Sequence, residues 1–281
     1  MSQTKPTNGV NLEEAVHDLP TADHTNLLHR YQTSQSVIIP REVFEQLYFE
    51  PSAHRKGTRL GTIFGNPTPM PLMGFLIASM PLGCNLMGWR GSGGGGVAIV
   101  GLFYFFGGML QIIGSVLEWI LGNTFTYIVF ACYGAFWLAL GVTLTPAYDA
   151  QAYYDTQSGG SAEFAASFAF FHMCMALVTF FFCVGSIRTN LVLWLVFVFI
   201  DLAFIMLMAV YWTTAEGMTE VAGKLQIAAG AFIFVFCVLG WYLFFHLILL
   251  AADLPTIPVF DLSQRIIGQS ERKKRAQEEA S

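Results

Sequence analysis

The sequence predicts an all-α membrane protein, a six-transmembrane-helix bundle with both termini cytoplasmic. Three observations predict it. The chain is too apolar for a soluble domain: 54% of its residues are hydrophobic and 12% charged, where soluble proteins carry about a quarter charged residues. Six apolar runs each approach the roughly 20 residues that a spanning helix needs. The basic residues are also segregated, with twelve of the 14 Lys and Arg in the two tails and the fourth connection and only Arg90 and Lys224 opposite. Basic loops stay cytoplasmic, so both tails share that side and the number of spans is even.

Residues 1–60 form a polar tail, and no cleavable signal peptide is expected because the first apolar run starts only after it. Within the tail, Pro40 can start a short helix in 37–49 with Val43, Phe44, Leu47 and Tyr48 on one face. That face suits either the membrane interface or a stub packed under the bundle. The spans are expected at Pro69–Trp89, Val97–Leu121, Phe125–Pro146, Glu163–Gly185, Leu191–Trp212 and Leu225–Ala252. The membrane domain is therefore 61–252, and 253–281 is a cytoplasmic tail. The 26 phenylalanines and 27 glycines suit a packed membrane bundle.

The first span opens with G-N-P-T-P-M-P-L at Gly65–Leu72. Pro67 and Pro69 fit the mouth of a helix, where a missing N–H costs nothing, and Asn66 is a natural cap. Such a mouth either stays a cap on a kinked helix or points free N–H groups at an anion. The connection Arg90–Gly96 is glycine-rich but lacks the flanking strand and Lys-Ser/Thr of a phosphate loop, so it reads as a turn. The third connection, Ala147–Ala162, carries Asp149 and Asp155 and no base.

Ionisable groups inside a membrane are costly and mark candidate sites. Asp201 lies mid-way along the fifth span, Glu118 late in the second, beside the interface, and His172 and His246 in the fourth and sixth. The histidines are candidate partners for Asp201, or they fix packing through interhelical hydrogen bonds. Ala131, Ala135 and Ala139 in the third span, and Ser79 with Gly83 in the first, form small-residue stripes for helix packing. The five cysteines form no C-x-x-C pair and read as buried thiols, not as a metal or disulfide frame. Enzyme motifs such as G-x-S-x-G and H-E-x-x-H are missing. No catalysis, cofactor, metal or nucleic-acid partner is expected.

Several blocks resemble the acetate uptake transporter family (AceTr, YaaH-like): N-P-T-P-M-P-L at Asn66–Leu72 with G-F at Gly74-Phe75, F-G-G at Phe106–Gly108, E-W-x-x-G-N-T-F at Glu118–Phe125, and Y-G-x-F-W at Tyr133–Trp137. The tail segment V-I-I-P-R-E-V-F at Val37–Phe44 resembles fungal members. The resemblance implies a six-helix protomer with its own pore, a homo-hexamer in the plasma membrane, and passage of acetate or similar small carboxylates by proton coupling or channel-like flow. It places a constriction at Phe75, Tyr133 and Ile200, the last by counting through the fifth span. It places acetate near Asn66, Pro67 and Pro69. Asp201, Glu118 and His172 are then the expected proton carriers. Thr68, Met70 and Pro71 depart from the family's Ala, Leu and Gly, and Ile200 from its Leu. Another small solute, such as succinate or ammonium, and a non-transporting acetate sensor are the alternatives.

Overall fold

A computed structural model describes residues 64–158 and 160–262. The tail helix expected at 37–49 and the basic residues from Arg265 onward lie outside them. The helices are α1 (Pro69–Leu86), α2 (Gly94–Ile120), α3 (Thr124–Leu144), the short α4 (Ala150–Asp155), α5 (Gly160–Ser186), α6 (Leu191–Ala215) and α7 (Thr219–Ala251). All but α4 are long and apolar enough to cross a bilayer. The chain is an integral, multi-pass membrane protein with the six expected spans. Their ends shift by a few residues, because polar groups such as Thr219 and Glu220 extend the helices beyond the apolar core.

Local sequence explains the helix ends. Pro69 stands at the first position of α1, where it needs no N–H partner. Asn190 caps α6: its side chain accepts the Leu193 N–H at 2.9 Å. The glycine-rich connection forms two tight 3-10 turns, Trp89–Gly91 and Gly94–Ile99. Gly94, Gly95 and Gly96 all have positive φ there, a conformation that a side chain would strain. One feature was not legible in the sequence. Helix α2 changes from α to π winding over Phe103–Leu110 before returning to α.

The spans close into a ring. Helix α6 packs between α5 and α7, α7 against α1, α1 against α2, and α2 against α3. Rings and hydroxyls close the last gap: Phe136 of α3 stacks on Phe171 of α5 at 5.4 Å, and Tyr133 bonds Thr179.

The stripe reading holds for only one pair. Gly83 does meet a neighbour, and a Cβ on the facing Gly230 would sit 2.7 Å from the Gly83 carbonyl oxygen. The third-span stripe does not pack within the protomer, since Ala135 and Ala139 are exposed. The reason is rotational: Tyr133, Phe136, Trp137 and Leu140 take the inward face of α3. We expect Gly230→Ala to destabilise the protein by about 1–3 kcal/mol, the usual cost of overpacking. Thermal unfolding in detergent measures it, and an unchanged midpoint would show that the α1–α7 crossing yields freely.

The first ten residues of the predicted C-terminal tail form a strap instead. The Tyr242 hydroxyl donates to the Pro258 carbonyl oxygen at 2.7 Å. Leu191 N–H donates to the Phe260 carbonyl at 2.9 Å and Leu262 N–H to that of Thr189 at 3.0 Å. His246 Nδ1 lies 2.7 Å from the Ile257 carbonyl oxygen. This corrects its reading as a partner for Asp201: its Nδ1 pairs with the strap, and no hydrogen bond to Asp201 is seen among the described residues.

Candidate functional site

Between the helices lies a partly open cavity of about 30 Å³. That is room for a water-sized guest or two. Phe75 of α1, Tyr133 of α3, Ile200, Ala203 and Phe204 of α6, and Phe236 of α7 line it, among others. Residues separated by 125 positions thus meet on one wall. The Phe75 ring lies 5.5 Å from both Tyr133 and Phe236. Tyr133 stands parallel to Phe204, at 6.5 Å and 8°.

No polar atom faces this cavity. Its two hydroxyl-bearing residues are turned away. Ser79 Oγ donates to the Phe75 carbonyl of its own helix at 2.7 Å. The Tyr133 hydroxyl reaches past the wall to Thr179 on α5, 3.0 Å away. Phe75, Tyr133 and Ile200 are each less than 10% exposed, so the wall is dry and close-packed.

Sequence reasoning missed Ala203, Phe204 and Leu207 on this wall. The signal was present: with Ile200 they stand at i, i+3, i+4 and i+7, one face of a helix. The run is apolar all round, so its period could not pick the face.

The remaining candidates lie around the cavity. Asp201 follows Ile200 and is half-buried, near enough to Tyr133 and Cys183 to act on both electrostatically. His172 is buried behind the wall, stacked on Tyr211 at 4.9 Å, with Phe136 and Phe204 between it and the cavity. No hydrogen bond joins it to Asp201 among the described residues, and its Nδ1 faces the Phe168 carbonyl at 3.3 Å.

Glu118, expected beside the interface at the end of its span, is 0% exposed. Thr68 Oγ1 and Asn123 Nδ2 donate to its two carboxylate oxygens. The carboxylate thereby ties the mouth of α1 to the α2–α3 turn. The departure of Thr68 from the family's Ala supplies one of these donors. Pro71 is accommodated too, since it fills the space beside Gly114, where a Cβ would lie 2.5 Å from the proline ring.

The mouth at Asn66 does not offer free N–H groups to an anion. Asn66 Oδ1 accepts the Thr68 N–H at 3.1 Å, Met70 N–H donates to the Pro67 carbonyl at 3.1 Å, and Pro69 and Pro71 have no N–H. Asn66 is exposed and Pro67 buried. Asn66, Pro67 and Pro69 stand apart from the cavity lining. Among the described residues no group of His, Cys, Asp and Glu is arranged to hold a metal ion.

The sequence pattern of the GPR1/FUN34/yaaH family matches residues 49–263. The chain belongs to that family. The resemblance drawn from the signature blocks is therefore correct. Protein alcS of Aspergillus fumigatus is 41% identical over 249 residues, 86% of this chain and 91% of that protein. Acetate transporter protein patA of Penicillium expansum is 31% identical over 211 residues, 75% of this chain and 83% of that one. The solved structure of the bacterial acetate channel SatP has a TM-score of 0.53 at 24% identity, covering 70% of this chain and 99% of its own. That likeness shows that the bundle of this chain has the SatP fold.

Proposed function

We propose that this chain conducts small monocarboxylic acids, acetate first, through the cavity bounded by Phe75, Tyr133 and Ile200. The dry, ring-lined cavity between α1, α3, α6 and α7 carries the reading. An apolar neck stops hydrated ions by dewetting and passes a small solute that enters neutral or partly dehydrated. Family membership and the names of relatives, an acetate transporter and an acetate channel, support the cargo. A proton accompanies the cargo, and Asp201, beside the neck, exchanges it with the acid before the acid crosses. Both termini face the cytoplasm, the membrane is the plasma membrane, and the working unit is a homo-hexamer in which each protomer keeps its own pore. The protein acts as a transporter or channel and not as an enzyme.

Labelled acetate uptake into proteoliposomes, at acidic outside pH, tests the reading. The native protein is expected to exceed empty liposomes. Tyr133→Ala, which removes a 2%-exposed ring from the wall, is expected to raise the rate and admit larger acids. Native uptake at the empty-liposome level would overturn the proposal, and competition by succinate or ammonium but not acetate would redirect it to those solutes.

A further inference from the structure

We infer that Thr179 is a positioning residue for conduction: its hydroxyl holds the Tyr133 hydroxyl out of the cavity and so makes the neutral acid the species that passes. The inference rests on the conduction proposed above. Thr179 is 0% and Tyr133 2% exposed, and their hydroxyl oxygens lie 3.0 Å apart. The Tyr133 ring belongs to the wall, between Phe75 and Phe204, yet its polar tip ends on α5. With Ser79 turned onto Phe75, the neck has two hydroxyls in its wall and shows the cavity neither of them.

A carboxylate entering such a wall gives up its water and meets no exposed donor, since the unpaired Nε1–H of the lining residue Trp137 is itself buried, whereas the neutral acid loses far less. Thr179 maintains that condition. A buried phenol hydroxyl is rarely left unpaired, so without Thr179 it turns to the next acceptor in reach, the oxygen of a passing carboxylate. The titratable groups that act on Tyr133 are Asp201 from α6, Cys183 from α5 and Cys132 on its own helix. None is cationic, so none replaces the hydroxyl as a partner for an anion.

The test compares labelled acetate uptake at outside pH 5 and pH 7 for native protein, Thr179→Val, Thr179→Ser, and Thr179→Val combined with Tyr133→Phe. Native uptake is expected to fall about tenfold for each pH unit above the acid's own pKa, following the neutral fraction. In T179V the ratio of uptake at pH 7 to that at pH 5 is expected to rise about tenfold, the effect of one donor to a charged acceptor. T179S keeps the native ratio, and the double variant restores it because it lacks the freed hydroxyl. A merely structural role for Thr179 lowers uptake at both pH values and leaves the ratio unchanged. Folded T179V with the native ratio, or a raised ratio that persists in the double variant, overturns the inference. If T179V is not recovered folded, Thr179→Ala carries the same comparison. Native uptake at the empty-liposome level overturns the conduction reading and this inference together; native conduction with an unchanged T179V ratio overturns the inference alone.

Discussion

Replacing Ala203 by Phe is expected to reduce acetate uptake to the empty-liposome background. Ala203 is 3% exposed and lines a cavity of only about 30 Å³ together with Phe75, Tyr133 and Ile200. A benzyl group at that position has nowhere to go but the cavity. Overpacking of this kind costs about 1–3 kcal/mol, which a folded bundle tolerates, so the loss is one of passage. Leu202→Phe places the same benzyl group one residue away, off the cavity wall, and controls for the presence of the ring in this helix. Uptake is measured in proteoliposomes made from protein that elutes as the native form does. A folded A203F that still carries acetate would show that the route does not cross this cavity.

The second large effect is on stability. Glu118→Leu is expected to lower stability by about 3 kcal/mol, because two donors lose their buried acceptor at once. For a chain of this size that corresponds to a fall in midpoint of about 6–12 °C. Thr68 Oγ1 and Asn123 Nδ2 both converge on this carboxylate, so its loss unties α1 from the α2–α3 turn. Glu118→Gln keeps one acceptor and is expected to fall between E118L and native. Thr68→Ala, which puts the family's usual residue there, removes a single bond and is expected to cost about 1 kcal/mol. Tryptophan fluorescence during heating in detergent gives the order. If E118L melts no earlier than T68A, the carboxylate does not hold the mouth.

Much of the architecture was legible in the chain. Span number and rough position follow from apolar length, since a bilayer demands about 20 residues per crossing, and the blocks at Asn66–Phe75, Glu118–Phe125 and Tyr133–Trp137 carried the family. Single residues were less legible. The mouth at Asn66 read either as a plain helix cap or as free N–H groups aimed at an anion, and the fold spends those groups locally. Ala135 and Ala139 looked like packing contacts, and they face outward. His246 looked like a partner for Asp201, and a returning strap takes it.

The sequence alone determined that this is a six-span membrane bundle of a recognisable family, because hydropathy and local signature blocks act over short stretches of chain. Tertiary structure decided which side chains share a wall. It brought Phe75, Tyr133 and Ile200 onto one cavity, sent the Tyr133 hydroxyl to Thr179 and buried Glu118 between α1 and the α2–α3 turn. The reason is the solvent. In a membrane every face of a span can be apolar, so the pattern of hydrophobic residues no longer marks the inward face. Close packing between helices, at places such as Gly83 against Gly230, then sets the rotation of each span.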